Sequence, residues 1–294
     1  MAKKRFSGSI VALVTPFTNG AVDQRRLRDL VDWHVQSRTD GIVPCGTTGE
    51  SPTLSHDEHK RVVEVVIQQA AGRVPVIAGT GANSTAEALD LTRHAKGAGA
   101  DACLVVVPYY NKPTQQGLFE HFTAVADLGL PVIMYNIPGR TGVNMLPETV
   151  ARLAQHPTIV GMKEATGNLE QMTQDIVLCG DQLVYLSGDD TLTLPLMSVG
   201  GHGVISVVAN IVPKDTSDLC QAFLSGDWKR ARELHLRLFP LSQAMFVETN
   251  PIPVKTALAL MGRIEPEFRL PLCRLAEANL TKLKAALRSY GVSV

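Results

Sequence analysis

Residues 131–166 read PVIMYNIPGRTGVNMLPETVARLAQHPTIVGMKEAT and alternate between two kinds of pattern. Short apolar segments begin at Pro131 and at Ile159, and between them residues 146–157 place apolar side chains three and four positions apart. A short apolar run is typical of a strand buried on both faces, and the three-and-four spacing is typical of a helix. The stretch therefore predicts a strand, a covering helix and a second, parallel strand.

The same alternation runs through most of the chain. Amphipathic segments separate eight apolar segments, which begin at Ser9, Gly41, Pro75, Ala102, Pro131, Ile159, Leu183 and His202. Eight such units predict an α/β fold of the closed (β/α)8 TIM-barrel type, and an open, doubly wound sheet is the alternative. A barrel of this type takes about 250 residues. The 294 residues of the chain therefore allow a barrel and a short extension.

The remaining C-terminal sequence has helical patterns only. Three amphipathic segments without a strand between them begin at Asp227, Pro251 and Arg274. We predict a catalytic barrel at residues 1–224 and a C-terminal helical domain at residues 225–294. No linker rich in Gly or Ser separates the two, so the helices are expected to pack on the barrel.

The overall composition excludes several classes of protein. The 28 Lys and Arg residues balance 28 Asp and Glu residues, so we expect small-molecule partners and no nucleic acid. The basic N-terminal residues precede an apolar run, but Thr15 and Pro16 interrupt that run, which therefore predicts a buried strand rather than a secretory signal. No apolar stretch approaches the about 20 residues that cross a bilayer. We expect a cytoplasmic protein without membrane association.

The five cysteines agree with that expectation. They are odd in number and widely spaced, without a CxxC pair, at Cys45, Cys103, Cys179, Cys220 and Cys273. This pattern predicts buried thiols in a reducing compartment rather than a disulfide framework. Only Cys45 stands near a candidate site, beside the sequence GTTGE.

Two glycine-rich stretches match nucleotide-binding loops only weakly. Residues 79–84, GTGANS, have Ser84 at the third glycine position of the dinucleotide fingerprint. Residues 46–51, GTTGES, lack the Gly-Lys-Ser/Thr ending of a phosphate loop. We therefore expect no organic cofactor.

Metal binding is also not expected. His56 and His59 form an HxxH pair, but Ser55 and Glu58 match a capping box at the same place. No third ligand stands at a diagnostic spacing. The acidic pair at 189–190 precedes a helical pattern and is suited to capping it.

Lys163 interrupts an apolar strand, and two interpretations of it are open. Inside a barrel, loss of hydration would lower the pKa of its ammonium group and supply a neutral amine that attacks a carbonyl. Alternatively, Lys163 is a structural lysine paired with Glu164 or another carboxylate. Lys255, the other lysine in apolar sequence, lies at a predicted helix start and is expected to be structural.

Polar residues at other strand ends suit the first interpretation, because barrel active sites form at the carboxyl ends of the strands. Tyr135 has a hydroxyl that can relay protons, or it is an ordinary rim aromatic. Arg140 can bind a carboxylate through its planar fork, or it forms a surface salt bridge. Thr47 and Thr48 can hold a second carboxylate, although Gly-Thr-Thr-Gly is also a common turn sequence.

Eight motifs together resemble those of the pyruvate-dependent class I aldolases of the N-acetylneuraminate lyase superfamily, and most closely those of the dihydrodipicolinate synthase family. They occur in order along the chain as GTTGES, GTGANS, VVPYYNKP, YNIPGRTG, GMKEATG, LSGDD, GGHGVISV and NPIPVK. The resemblance implies a (β/α)8 barrel with a C-terminal helical domain, assembled as a homotetramer from two dimers. It also implies an enzyme, a carbon–oxygen lyase, that condenses pyruvate with L-aspartate 4-semialdehyde to 4-hydroxy-tetrahydrodipicolinate, the first committed step of lysine synthesis through diaminopimelate.

The resemblance also implies roles for individual residues. Lys163 matches the lysine that forms the imine, and the proton-relay residues match Tyr135, Thr47 and Tyr110, of which Tyr110 would reach in from a neighbouring subunit. The substrate-binding positions match Thr48 for the carboxylate of pyruvate, Arg140 for that of the semialdehyde, and Gly188 and Ile205 for the pocket backbone and wall. No metal or organic cofactor is implied.

Two alternative functions remain open at this point. Sugar-acid aldolases of the N-acetylneuraminate lyase type share the lysine and the tyrosine, but Arg140 suits a short dicarboxylic product, and Thr47 stands where those lyases usually have Ser. A non-catalytic barrel that binds a keto acid would not need the proton-relay residues.

Feedback inhibition by lysine is a further hypothesis. The effector positions of lysine-sensitive relatives match Ser51, His56, His59, Asn83, Glu87 and Tyr109. His59 and Glu87 supply polar groups suited to a bound amino acid, and the resemblance implies a site at a subunit interface.

Overall fold

The computed structural model describes residues 6–294. The basic residues at positions 3–5 and the first residues of the predicted barrel domain lie outside this range. In chain order the strands are β1 (Gly8–Ala12), β2 (Phe17–Thr18), β3 (Ala21–Val22), β4 (Gly41–Val43), β5 (Ile77–Gly79), β6 (Ala102–Val106), β7 (Val132–Asn136), β8 (Ile159–Glu164), β9 (Val184–Ser187) and β10 (Gly203–Ser206).

The α-helices cover the sheet and continue beyond it. They are α1 (Gln24–Gln36), α2 (His56–Ala70), α3 (Thr85–Ala98), α4 (Gln115–Ala126), α5 (Pro138–Thr141), α6 (Pro147–Ala154), α7 (Leu169–Cys179), α8 (Thr193–Ser198), α9 (Pro213–Leu224), α10 (Trp228–Ala244), α11 (Ile252–Leu260) and α12 (Glu277–Tyr290). Short 3-10 helices include Ser51–Thr53 and Asp190–Leu192.

Within residues 6–294, eight parallel strands form one sheet in the order β4, β1, β10, β9, β8, β7, β6, β5. A parallel bridge between Ile42 and Val76 joins its two ends and closes the barrel. Each of the eight apolar segments overlaps one of these strands. The predicted (β/α)8 barrel is therefore confirmed, and the open sheet was the wrong alternative. The sequence analysis did not predict the antiparallel hairpin of β2 and β3 that follows β1.

Two apolar layers explain why the strands are apolar on both faces. Inside the barrel, Ile10, Ile77 and Ile133 belong to one buried cluster. Between the sheet and the helices, a larger cluster includes Val11 and Met134. Neighbouring residues of a strand point to opposite faces, so each strand contributes to both layers.

The C-terminal helices pack on the rest of the chain. Helix α10 packs on α9 and buries Leu234, and α12 packs on α10 and α11 and buries Leu283 and Leu287. The predicted helical extension is therefore present. The division of the chain after residue 224 stays a prediction, because α9 ends at Leu224 and α10 lies directly against it.

The helix starts explain two acidic or histidine-rich motifs. Ser55 and Glu58 form a complete capping box at the start of α2. Asp189 accepts from the backbone N–H of Thr191 at 2.8 Å and caps the following 3-10 helix. None of the helices between residues 6 and 294 has the length and apolar character needed to span a bilayer.

Candidate active site

Lys163 lies near the carboxyl end of β8 and is only 6% exposed. The register of the sheet sets it beside Tyr135 of β7, and its Nζ lies 4.1 Å from the centroid of the Tyr135 ring. Glu164, the next residue, accepts from the backbone N–H of Thr166 at 2.6 Å. Because adjacent strand residues point to opposite faces, Lys163 faces the barrel interior and Glu164 faces away from it. The structural interpretation that paired these two residues is therefore not supported.

A small cavity of about 40 Å³ opens at this end of the barrel. Its lining includes Lys163, Tyr135, Thr47, Thr48, Arg140 and Gly188. A second cavity, of about 190 Å³, shares Thr47, Tyr135 and Arg140 with the first. The closed barrel thus brings together residues from four separate stretches of sequence around one amine.

Burial controls the charge of Lys163. The pKa of its ammonium group is lowered from 10.5 to about 7. Loss of hydration is the main cause, the carboxylate of Asp190 acts against it, and the cation of Arg140 adds to the lowering. A large share of Lys163 is then a neutral amine at neutral pH, which is the form that attacks a carbonyl carbon.

Asp190 is a buried residue that sequence reasoning assigned only to helix capping. Its Oδ2 accepts from the backbone N–H groups of Val207 and Val208 at 3.0 and 2.9 Å. These bonds orient the carboxylate that acts on the charge of Lys163. The sequence offered one signal, since two aspartates stand just beyond Gly188, which follows the end of β9, but only Asp189 acts as the cap.

Tyr135 is 6% exposed and keeps its proton. Burial raises the pKa of its hydroxyl to about 12, although Arg140 and a hydrogen bond with Thr47 both act to lower that pKa. A neutral hydroxyl within a hydrogen-bonded pair can both donate and accept a proton. The Thr47–Tyr135 pair is thus chemically suited to relaying protons to and from an amine.

Asn250, which sequence reasoning did not select, links two predicted binding residues. Its Nδ2 donates to Oγ1 of Thr48 at 3.0 Å, and its backbone carbonyl accepts from Nη2 of Arg140 at 3.2 Å. Asn250 also lines the cavity that contains Lys163. The motif NPIPVK marked this stretch as part of the family resemblance, but no local pattern indicated a contact across about two hundred positions.

Gly188 is required by close packing. An added Cβ at this position would lie 2.7 Å from Cβ of Ala165 and 3.1 Å from Cε of Lys163. Any side chain here would therefore displace the lysine. Ile205, predicted as a wall of the pocket, lies in the buried barrel interior in the same cluster as Tyr135.

Tyr110 lies apart from the other predicted relay residues. It is 89% exposed and has a φ of 76°. It lines neither of the two cavities. Within one chain, the structure thus brings together Lys163, Tyr135 and Thr47, but not Tyr110.

Two of the six predicted effector residues line the larger cavity, and the other four do not. Ser51 and Tyr109 line that cavity, and Nε2 of His56 lies 3.0 Å from Oε1 of Glu87. His59 is 4% exposed, and burial lowers the pKa of its imidazole to about 4. The backbone carbonyl of the sixth predicted residue, Asn83, accepts from Nδ2 of Asn111 at 2.8 Å. In the part of the chain that is described, no group of three His, Cys, Asp or Glu side chains has an arrangement that could hold a metal ion.

The chain is similar to known proteins over nearly its whole length. The family model for the dihydrodipicolinate synthetase (DHDPS) family matches residues 5–290. A 4-hydroxy-tetrahydrodipicolinate synthase from Geobacter sulfurreducens is 62% identical over 286 residues, which cover 97% of this chain and 99% of that protein.

Two crystal structures are similar in fold as well as in sequence. The dihydrodipicolinate synthase from Aquifex aeolicus matches with a TM-score of 0.97 at 51% identity, covering 98% of this chain and 99% of that one. The DHDPS from Cyanidioschyzon merolae, with lysine bound, matches with a TM-score of 0.94 at 42% identity and covers 98% of this chain and all of that one. The chain belongs to the dihydrodipicolinate synthetase family.

Proposed function

We propose that this chain is a 4-hydroxy-tetrahydrodipicolinate synthase, which joins pyruvate to L-aspartate 4-semialdehyde through a Schiff base on Lys163. The product commits carbon to lysine synthesis by the diaminopimelate route. One observation carries the proposal: a lysine with a pKa of about 7 faces a small cavity that also holds a tyrosine, two threonines and an arginine. The name of the Geobacter sulfurreducens relative supports the identity of the product.

In the first step the neutral amine of Lys163 attacks the ketone carbon of pyruvate. The resulting carbinolamine loses one water molecule and becomes an imine, and each stage needs a proton moved to or from oxygen or nitrogen. Tyr135, hydrogen-bonded with Thr47, is the group beside Nζ that moves these protons. Thr48 binds the carboxylate of pyruvate in this proposal.

In the second step the protonated imine loses a proton from the methyl carbon of pyruvate and becomes an enamine. The enamine carbon attacks the aldehyde carbon of the semialdehyde and forms the new carbon–carbon bond. The amino group of the semialdehyde then attacks the imine carbon, which closes the ring and releases Lys163. Arg140 binds the carboxylate of the semialdehyde, because its guanidinium lies at the junction of the two cavities.

Borohydride reduction tests the first step. Incubation with pyruvate and borohydride should add a reduced pyruvyl group to one peptide, and mass mapping should place it on Lys163. Lys163→Arg, which keeps the charge but removes the nucleophilic amine, should give no adduct. An adduct on another lysine, or turnover by the arginine variant, would refute the assignment.

Substrate choice is tested separately. We expect condensation of pyruvate with aspartate semialdehyde and no cleavage of N-acetylneuraminate, because the guanidinium of Arg140, which lines both cavities, favours a carboxylate over a polyol chain. Cleavage of the sugar acid at a comparable kcat/KM would favour the sugar-acid aldolase instead. Imine formation without either reaction would favour a keto-acid-binding barrel.

We further propose that the enzyme is a homotetramer built from two dimers and that Tyr110 completes the proton relay of a neighbouring chain. The exposure of Tyr110 supports this, since an aromatic side chain that is 89% exposed is suited to insertion into a partner. Sedimentation measurements test the tetramer. Mixing an inactive Lys163→Arg chain with an inactive Tyr110→Phe chain tests the sharing, because only mixed dimers would regain an intact site.

Lysine is the proposed feedback inhibitor. The support is a set of polar residues linked to the larger cavity: Tyr109 lines that cavity and interacts with Glu87, Glu87 pairs with His56, and His59 is buried. The lysine bound to the Cyanidioschyzon merolae enzyme supports an effector site in the family. Inhibition by millimolar lysine that His59→Ala relieves is expected, and full activity in lysine for both proteins would refute it.

We also propose a cytoplasmic location and a reaction without metal or organic cofactor. The five free cysteines, four of them buried, support a reducing compartment. Activity that is unchanged after exhaustive dialysis against a chelator is the expected result for the second point.

A further inference from the structure

The loop that presents Thr47 and Thr48 follows β4 and has an unusual backbone. Cys45 and Glu50, at its two ends, have φ of 55° and 54°, which lie in the left-handed region. Residues with a Cβ adopt this region at a cost in free energy and remain there only when surrounding contacts hold them. The conformation of residues 45–50 therefore depends on what packs around the loop.

The C-terminal region holds the second end of this loop. Nζ of Lys255, in α11, donates to Oε1 of Glu50, and the backbone N–H of Arg269 donates to Oε2 at 3.3 Å. Neither side chain of the Lys255–Glu50 pair has any exposed surface. The rings of Phe17 and Phe268 lie 4.3 and 5.2 Å from Nζ. The pair is therefore sealed from water.

Stability alone is a poor explanation for such a pair. Removing two charges from water costs about as much as their attraction returns, and apolar pairs of similar volume are often at least as stable. A buried pair that specifies one conformation is a better-attested use. Here the backbone N–H of Glu50 also donates to the carbonyl of Thr47 at 3.1 Å. Fixing Glu50 thus fixes the turn that carries Thr47.

The same C-terminal stretch reaches the loop at a second point. Asn250, five positions before Lys255, donates to Oγ1 of Thr48, and its carbonyl accepts from Arg140. Residues 250–255 therefore contact the loop on both sides of Gly49. The carbonyl of Gly49 in turn accepts from Oγ1 of Thr15 at 2.7 Å.

We propose that Lys255 and Glu50 are positioning residues for the condensation, and that their ion pair keeps Thr47 hydrogen-bonded with Tyr135. This inference rests on the proposed function. Lys255 is not a second imine-forming lysine, because its Nζ is engaged by the carboxylate of Glu50 and lies close to two aromatic rings. Its effect on the reaction passes through the loop.

The test compares variants that remove the pair in different ways. Replacing only one partner by an apolar residue leaves the other buried charge without a hydrogen-bond partner and threatens folding. The double variant Glu50→Gln with Lys255→Met removes both charges and keeps similar volumes, and it is the main test. Glu50→Gln alone, which keeps an acceptor oxygen for Lys255, is used if the double variant does not fold. The matched control is Lys214→Met with Asp218→Asn, which removes an exposed ion pair within α9.

The measurement is the first-order rate constant of borohydride-trapped adduct formation at saturating pyruvate. This rate constant does not depend on the fraction of protein that is folded, so a purely structural role would lower the amplitude or the Tm but not the rate constant. We expect the rate constant of the double variant to fall about 10- to 100-fold, because misplacement of a catalytic group by about 1 Å has an effect of that order. The half-saturating pyruvate concentration should change less, and the α9 control should match the unchanged protein.

Two results would overturn the inference, and they are distinguishable. If the unchanged protein forms no adduct on Lys163, the proposed function fails and the inference fails with it. The other result is that the unchanged protein forms the adduct and the folded double variant forms it with the same rate constant. The same holds for Glu50→Gln if it replaces the double variant, and in either case only the positioning role is refuted.

Discussion

Lys163 is predicted to lose its proton near neutral pH, so adduct formation with pyruvate should have an acid limb with a midpoint near pH 7. The pKa of the ammonium group is lowered from 10.5 to about 7, mainly by burial. The neutral amine is the reactive form, and its fraction rises with pH. The rate should therefore fall as the pH drops below 7 and level off above it.

The size of the effect follows from the two pKa values. At pH 7 an ordinary lysine with a pKa of 10.5 is about 0.03% neutral, whereas a lysine with a pKa of about 7 is roughly half neutral. The surroundings of Lys163 together thus raise the reactive fraction roughly 1,500-fold, which corresponds to about 4 kcal/mol. At pH 5 the neutral fraction of Lys163 should be only about 1%.

Rapid-quench trapping with borohydride at pyruvate concentrations well below saturation, from pH 5 to pH 10, measures this limb, because the second-order rate constant follows the ionisation of the free protein. Asp190→Asn supplies an internal check, because it removes the carboxylate that raises the pKa of Lys163. Its midpoint should lie at a lower pH than that of the unchanged protein. A midpoint above pH 9, or a shift of the Asp190→Asn midpoint to higher pH, would contradict this account of the site.

Three further substitutions test other parts of the site. Gly188→Ala should slow adduct formation without unfolding the barrel, because the added Cβ would lie 3.1 Å from Cε of Lys163. The control is Gly97→Ala on α3, where a Cβ meets nothing within 4 Å, and equal rates of adduct formation in the two variants would disprove the packing argument. Tyr135→Phe should lower the trapping rate about 100- to 10,000-fold, which is the usual range for loss of a general acid–base group, and its circular dichroism spectrum should be unchanged. A near-normal trapping rate would show that Tyr135 does not relay protons. Arg140→Ala should raise the KM for aspartate semialdehyde about 10- to 100-fold, as expected for one lost charged hydrogen bond, while borohydride trapping with pyruvate persists. Loss of trapping as well as of semialdehyde binding would show that Arg140 has a different role.

Local patterns were enough to predict the barrel, because its strands and helices each repeat a simple spacing. All eight strand segments are apolar on both faces, and the layers on either side of the sheet require this. Tyr135 and Lys163 were selected because they lie near the carboxyl ends of predicted strands, where barrel active sites form. In the structure, strands β7 and β8 are neighbours and Tyr135 pairs with Lys163. Short-range chemistry also predicted the capping box of α2.

The parts that sequence reasoning missed are contacts between distant positions. Asn250 donates a hydrogen bond to Thr48, which is 202 positions away in the chain. The sequence around Asn250 is the proline-containing start of a helix, and this local pattern does not indicate a binding residue. Asp190 looked like a helix cap because its neighbour is one. Its effect on Lys163 depends on the direction of its carboxylate, which the backbone of residues 207 and 208 fixes.

The two buried lysines show why burial alone does not make a reactive amine. Lys163 and Lys255 both lie in apolar sequence, and burial lowers the pKa of each ammonium group. Lys255 forms a direct ion pair with Glu50, a bond that makes its nitrogen a donor and occupies it. Lys163 instead has the Tyr135 ring on one side and the cavity before it, and Asp190 acts on it only through its charge. The reactive lysine is therefore the one whose nitrogen faces open space, and the difference between the two arises from a carboxylate that lies 205 positions from Lys255 in sequence.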